Sequence, residues 1–404
     1  MLLPIVAGLV LVWTYLVLAI GRAPFLRVDR AGATIVGATL MIAAGVLSLD
    51  EAYAAIDFRT LILLFGMMVL IAHLRMARFF RTIVRWVTMR VHEPALLLMA
   101  VVFVSGVLSA LFVNDTICLI FTPVLIEIAV ARGHRPLPYL IALATASNIG
   151  SVATITGNPQ NMLIASLSHI RYTPFLTALG PVALFGLAVD ALVLCVLFRE
   201  DLRPGPMEHA GRGPRPIHRA MMIKSVGVAI GVVIALLAGA EPALVSAIAA
   251  AVLLLTRWVK PEKVYRQVDW DLLMLFIGLF VIVAGVDRVG LARQLFELLA
   301  PIGLDTVAGL TIVATLLSNL ISNVPAVMLM SKLIPQLPSP ETSWLTLAMA
   351  STLAGNLTLL GSIANLIVLE GARRQQVTIT FWQYTRVGAP VTIVTLLFGI
   401  WWLG

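Results

Sequence analysis

The sequence predicts an all-α polytopic membrane protein made of two inverted repeats, with about ten transmembrane helices, two re-entrant hairpins and two broken helices. Three observations lead there: a composition too apolar for water, apolar runs of membrane length from end to end, and blocks of sequence that recur in the two halves. Of the 404 residues, 60% are hydrophobic and only 12% are charged, against roughly a quarter charged in a soluble domain. No hydrophilic block large enough for a separate domain interrupts the runs.

The net charge of +8 sits in short loops between apolar runs. That is the pattern of topology signals, so the expected partner is the lipid bilayer and not nucleic acid. The first run, LLPIVAGLVLVWTYLVLAI, lacks a basic leader and a small-residue cleavage site and reads as a retained helix. Cys118 and Cys195 both lie in apolar runs, offering neither a disulfide framework nor a metal-ligand spacing.

Spanning segments are expected at about residues 3–20, 32–48, 60–74, 137–168, 176–198, 221–239, 242–257, 270–286, 343–372 and 381–403. The run 94–131 has basic residues on both flanks, from Arg75 to Arg90 before it and Arg132 and Arg135 after it, which a hairpin entering and leaving on one side satisfies. With 94–131 as a cytoplasmic hairpin and 304–335 as its counterpart from the other side, the remaining basic loops become cytoplasmic. These hold Arg22, Arg27 and Arg30; Arg199, Arg203, Arg212, Arg215 and Arg219; Arg257, Lys260, Lys263 and Arg266; and Arg373 and Arg374. The loops SLDEAYAAID and AGAEP fall outside, as do both termini. The chain then divides into a first repeat, 1–198, with hairpin 94–131 and broken helix 137–168, a basic cytoplasmic linker, 199–219, and a second repeat, 220–404, with hairpin 304–335 and broken helix 343–372.

Self-similarity supports the division. IDFRTLILLFGMMV at 56–69 matches VDWDLLMLFIGLFV at 268–281, pairing Asp57 with Asp269 and Gly66 with Gly278. SALFVNDTICLI aligns with SNLISNVPAVML, so Asn114 pairs with Asn323. SNIGSVATITGNPQN at 147–161 resembles GNLTLLGSIAN at 355–365, allowing a four-residue gap. The loop charges orient the two repeats oppositely, an arrangement found in many secondary transporters.

Four places in these halves break an apolar segment with polar residues, Gly or Pro: 113–116, 147–161, 318–325 and 355–365. Irregular backbone at membrane depth survives only where protein buries it or a wet cavity receives it. Four breaks in matched positions therefore point to one central site, in which half-helix N-termini, amides and hydroxyls meet a solute or cation. The residues expected to bind solute are Asn114, Thr116, Asn148, Thr156, Asn158, Ser322, Asn323, Asn356, Thr358 and Ser362. Asn161 and Asn365 stand equally as site residues or as caps of the following half-helices, and Ser151 reads as packing glue.

Asp115 has no counterpart, since Val324 takes its place. A carboxyl at membrane depth costs roughly 2.5–3.5 kcal/mol on insertion scales and is a functional candidate, so Asp115 is the expected proton-coupling group. Asp190 and Glu127 are alternative carboxyls for the same role, ranked below Asp115 because Glu127 lies near a cytoplasmic end and Asp190 stands outside the repeated motifs. His73 and His169 read as interfacial, Cys118 as packing, and Trp401 and Trp402 as an aromatic belt.

At VNDTICLIFTPV, SNIGSVATITGNPQN, SNVPAVML and AGNLTLLGSIANLIV the chain resembles the ion transporter superfamily, in its citrate-transporter-like branch with the ArsB-type arsenite permeases. The resemblance covers nearly the whole length and implies hairpin tips and broken helices at these motifs. Dicarboxylate symporters of the superfamily carry Ser-Asn-Thr at both tips to hold sodium; here the tips read Val-Asn-Asp and Ser-Asn-Val-Pro. Asn114-Asp115 with Thr122-Pro123 is more similar to the ArsB type, while SNIGSVATITGNPQN is closer to broad anion-transporter relatives. The resemblance implies arsenite or antimonite efflux in exchange for protons, with sodium-coupled di- or tricarboxylate symport or sodium/proton antiport as alternatives. No cofactor is expected beyond the coupling proton or sodium. No nucleotide-binding motif appears, so any use of ATP would need a separate soluble ATPase subunit. A channel would place selectivity in a pore of several subunits, and an enzyme would need a catalytic partner for Asp115. The expected location is the inner (plasma) membrane of the cell, crossed many times.

Overall fold

A computed structural model describes residues 2–23, 27–202, 219–255 and 258–404. Arg203, Arg212, Arg215, Arg257 and most of the expected linker 199–219 lie outside these residues. The first half holds α1 (Leu2–Ile20), α2 (Arg30–Ala43), α3 (Leu49–Ala55), α4 (Phe58–Met76), α5 (Phe79–Arg90), α6 (Pro94–Leu111), α7 (Asn114–Ala131), α8 (Leu137–Ser151), α9 (Pro159–Ser168) and α10 (Tyr172–Leu197). The second holds α11 (Arg219–Leu237), α12 (Pro242–Leu254), α13 (Pro261–Tyr265), α14 (Trp270–Arg288), α15 (Leu291–Leu299), α16 (Val307–Ile321), α17 (Asn323–Met330), α18 (Pro340–Ala354), α19 (Ile363–Arg374) and α20 (Phe381–Leu403). Each helix of the first half has a counterpart ten places later, short helices included.

Local chemistry starts these helices in matching ways. Asp57 caps α4 by accepting the Arg59 N–H at 3.1 Å, and Asp269 caps α14 by accepting the Leu272 N–H at 2.9 Å. Pro occupies the first turn of α6, α8, α9, α12, α13 and α18, where its missing N–H costs nothing. Among the described residues, eight helices are long and apolar enough to cross a membrane, both arms of the first hairpin, α6 and α7, included. Several expected spans are shorter or interrupted: 32–48 holds only the 14 residues of α2, 242–257 only the 13 of α12. Two amphipathic helices that hydropathy left unmarked, α5 and α15, precede the two hairpins in matched positions.

The halves interlock. α4 packs on α12 and α14 on α2, so the same pair of helices crosses twice with the halves exchanged. Gly66 and Gly278 show how close these crossings are. A Cβ at Gly66 would meet Ser246 main-chain atoms at 2.6 Å, and one at Gly278 would meet Thr34 main-chain atoms at 2.6 Å. Small residues permit such contact in membranes, where apolar burial alone does not drive helices together. Gly66→Ala and Gly278→Ala are each expected to destabilise the fold by about 1–3 kcal/mol through overpacking, read as a lower thermal unfolding temperature in detergent. Equal losses at the two positions would follow from their equivalent geometry.

Around this scaffold, α6 packs on α8 and α16 on α18, while α7 lies on α19 and α17 on α9. Each hairpin thereby lays its first arm on the broken helix of its own half and its second arm against the broken helices of both halves.

Candidate functional site

The two breaks are built alike. After α8 the chain makes a short 3-10 turn at Ile155–Gly157 before α9, and after α18 it turns again before α19. The last carbonyls of a helix have no partner within it. Here a single asparagine supplies one: Asn161 donates to the Ser151 carbonyl at 3.0 Å and the Thr154 carbonyl at 2.9 Å. Asn365 donates to the Gly355 carbonyl at 2.7 Å and the Thr358 carbonyl at 3.2 Å. In both cases the acceptors lie ten and seven residues back. The caps of the following half-helices are other residues, Asn158, which accepts from the Asn161 N–H, and Ser362, which accepts from the Ala364 N–H.

This geometry corrects the alignment of the third block. A four-residue gap puts Asn148 opposite Asn356, but the ungapped register that pairs Asn161 with Asn365 puts Asn148 opposite Thr352. The bonds across the breaks obey the ungapped register. Asn158 donates to the Thr352 hydroxyl at 3.2 Å, and its counterpart Ser362 donates to Asn148 Oδ1 at 3.1 Å. Identity of short polar words misled the alignment, since the turn conserves bond geometry and not residue type.

Asn148 is the hub. Its Oδ1 accepts from Asn114 Nδ2 at 2.9 Å and from Ser362, and its Nδ2 donates to Asn356 Oδ1 at 2.8 Å and Asn365 Oδ1 at 3.1 Å. That exhausts the bonding capacity of an amide side chain. The tip of the first hairpin, at Asn114, is thus tied through Asn148 to the broken helix of the other half. Asn114, Asn148, Asn356, Ser362 and Asn365 are all buried, and none of them is charged.

The second tip differs. Asn323, the counterpart of Asn114, has a buried Oδ1 with no partner among the described residues. Ser322 before it has φ 77° and ψ 157°, a conformation that favours glycine and persists where the surroundings impose it. Thr358 reaches Asn319 at 3.4 Å, and Thr156 turns to Thr154 and the Ala110 carbonyl on the first hairpin.

Asp115 and Thr116 face away from the network. They line a cavity of about 80 Å³ with Arg75 of α4 and Asp269, the cap of α14. A second cavity of about 250 Å³, lined by Asp57, Phe280, Val283, Ala284 and Lys332, is its counterpart in the other repeat. There Lys332 pairs with Asp287, the counterpart of Arg75, at 3.6 Å. No ion pair or hydrogen bond reaches the Asp115 carboxylate among the described residues.

Residues 12–354 match the family described as CitMHS, citrate transporter. The chain belongs to the CitMHS citrate transporter family. It is 34% identical to the "Silicon efflux transporter LSI3" of Oryza sativa subsp. japonica, over 93% of each chain. It is 24% identical to "Putative transporter arsB" of Dictyostelium discoideum, over 93% of this chain and 87% of that one. The YdaH transporter of Alcanivorax borkumensis, whose crystal structure was described as having an unusual topology, shares the fold at TM-score 0.63 and 16% identity, covering 100% of this chain and 96% of that one.

This CitMHS chain is therefore a multi-pass membrane protein and a secondary transporter, not an enzyme. Its network includes residues that sequence reasoning passed over. Thr352 accepts from Asn158 and from Gln160 at 3.2 Å; the Thr145 carbonyl accepts from Asn356 at 3.0 Å; Tyr384 of α20 donates to Asn356 Oδ1 at 3.4 Å. The ungapped register would have singled out Thr352, but nothing in the sequence marks Tyr384, which arrives from outside the motifs. His73, expected at an interface, is instead buried, with Nδ1 on the Val69 carbonyl of its own helix at 2.8 Å. Cys118 is buried against the Ser147 hydroxyl at 3.0 Å. Glu127 is half-exposed near Arg81, and Trp401 and Trp402 are exposed at the end of α20.

Proposed function

We propose that this CitMHS member exports arsenite or antimonite across the inner (plasma) membrane in exchange for protons. The observation that carries the proposal is the makeup of the network joining the hairpin tip to both breaks: amides and hydroxyls, with no Lys or Arg among Asn114, Asn148, Asn158, Asn356, Ser362 and Asn365. An uncharged hydroxylated acid exchanges hydrogen bonds with such groups, whereas a multiply charged carboxylate buried there would need cations to offset its desolvation. Arsenous acid is such a solute at neutral pH, as is silicic acid, and a silicon efflux transporter is a close relative.

Asp115 is the proton-coupling carboxyl in this reading. It stands next to Asn114 in the first turn of α7 and lines a cavity large enough for a few waters, so a proton can reach it while Asn114 holds the network. The hairpins and broken helices then exchange access between the two sides around the fixed site.

A sodium-coupled anion symporter is the second reading. The family description favours it, and so does Arg75, which lines the Asp115 cavity and could meet a carboxylate. Uptake into everted vesicles separates the two, with arsenite, antimonite, citrate and succinate supplied at imposed pH gradients, with and without sodium. Arsenite accumulation that follows the proton gradient is expected. Succinate or citrate uptake that follows sodium, with arsenite indifferent to pH, would overturn the proposal.

A further inference from the structure

Asp190 lies inside α10 at 0% exposure, and its two oxygens are unequal. Oδ2 lies 2.9 Å from the Thr145 hydroxyl, whose single proton also has the Ile141 carbonyl at 2.9 Å, while Oδ1 has no partner among the described residues. No Lys, Arg or His pairs with it among the described residues. The helices packed on α10 explain why. α6 carries no titratable side chain. On α8, Tyr139 is turned to His134 at 3.2 Å. Lys224 of α11 donates to the Leu255 carbonyl, and Arg219 of α11, Glu341 of α18 and Arg386 of α20 are exposed at or near helix ends. Tyr384 of α20, whose hydroxyl donates to Asn356 Oδ1, is near enough to interact electrostatically with Asp190 and with Cys118. On α10 itself Tyr172 and Cys195 stand elsewhere along the helix.

An ionised carboxylate in these surroundings would be buried without a counter-charge, which proteins avoid by neutralising the group. The carboxyl is also wired to the network. Thr145, its hydrogen-bond partner, offers its own carbonyl to Asn356 Nδ2 at 3.0 Å, and Asn356 Oδ1 accepts from the Asn148 hub at 2.8 Å. Thr145 belongs to α8, the half-helix that ends at the first break, so a movement of that break against α10 alters the surroundings of Asp190 directly.

We propose that Asp190 is a proton-binding site of the transport cycle, separate from Asp115: it holds a proton while Thr145 and Asn356 stand as seen here, and yields it to water, becoming the carboxylate, when α8 shifts off α10. This rests on the proton-exchange reading above, and the test keeps the two apart. The full chain in proteoliposomes is given arsenite with a pH-sensitive dye inside, and the purified chain is examined by infrared spectroscopy for a protonated carboxyl C=O band. Asp190→Asn is expected to remove that band, to lower the number of protons exchanged per arsenite by one, and to leave arsenite-for-arsenite exchange in place. An unchanged band, or an unchanged proton count with a native pH profile, would overturn the inference. A native chain that shows the band but moves no proton with arsenite would sink the exchange reading and leave Asp190 as a proton site. If Asp190→Asn does not fold, Thr145→Val serves: loss of its hydroxyl is expected to shift the same band and to move the pH profile of exchange, and no change in either would count against the inference.

Discussion

Asn148→Leu is expected to abolish solute exchange and to lower stability by about 3 kcal/mol or more. The side chain accepts two hydrogen bonds and donates two, all within the buried network. Its loss leaves Asn114 Nδ2 and the Ser362 hydroxyl without their acceptor and Asn365 Oδ1 without its donor, and each stranded buried group costs about 1–3 kcal/mol. Asn356 suffers less, because Tyr384 and the Thr145 carbonyl still hold it. Asn148→Thr should be the mildest replacement, since the other repeat uses Thr352 in the equivalent place and spans the same break with it. Thermal unfolding in detergent and initial exchange rates measure both effects. If the leucine variant exchanged solute at the native rate, the Asn148 network would not lie on the transport path.

Asp115→Asn is expected to remove one proton from the exchange and leave the fold intact. An imposed difference of one pH unit is worth about 1.4 kcal/mol per proton, so losing one coupled proton lowers the limiting accumulation ratio by about tenfold for each pH unit imposed. The substitution keeps the side-chain shape, and no bond to the carboxylate is lost, because none reaches it among the described residues. Only the charge in the cavity beside Arg75 and Asp269 changes. Accumulation ratios measured at several imposed gradients give the slope directly. A slope equal to that of the native chain would remove Asp115 from the coupling role.

Much of the architecture was legible without coordinates because a bilayer permits few solutions. Apolar runs, basic loops and matched polar breaks restrict the backbone to helices whose interruptions must be buried together. The repeat was also visible, since Gly66 and Gly278 mark the same close crossing in both halves. Hydropathy could not show where α2 and α12 stop short, nor that α5 and α15 form. Amphipathic segments lie outside the apolar signal, and helix ends depend on caps and neighbours.

The sequence by itself determined that the chain lives in a membrane, that it is duplicated, and that polar residues break its apolar segments at four places. Those follow from one-dimensional constraints: the length of apolar runs and the recurrence of short blocks. Tertiary structure alone decided which polar residue meets which. Asn148 pairs with the break of the opposite half and corresponds to Thr352, not Asn356. Asp115 and Asn114, neighbours in the chain, point to a cavity and to the network respectively. Asp190, which no motif marks, reaches the network through Thr145. The physical reason is that a hydrogen bond is satisfied by position and direction. A carbonyl of a broken helix accepts from whichever amide the fold brings near it, ten residues away for Ser151 and 211 away for Thr145.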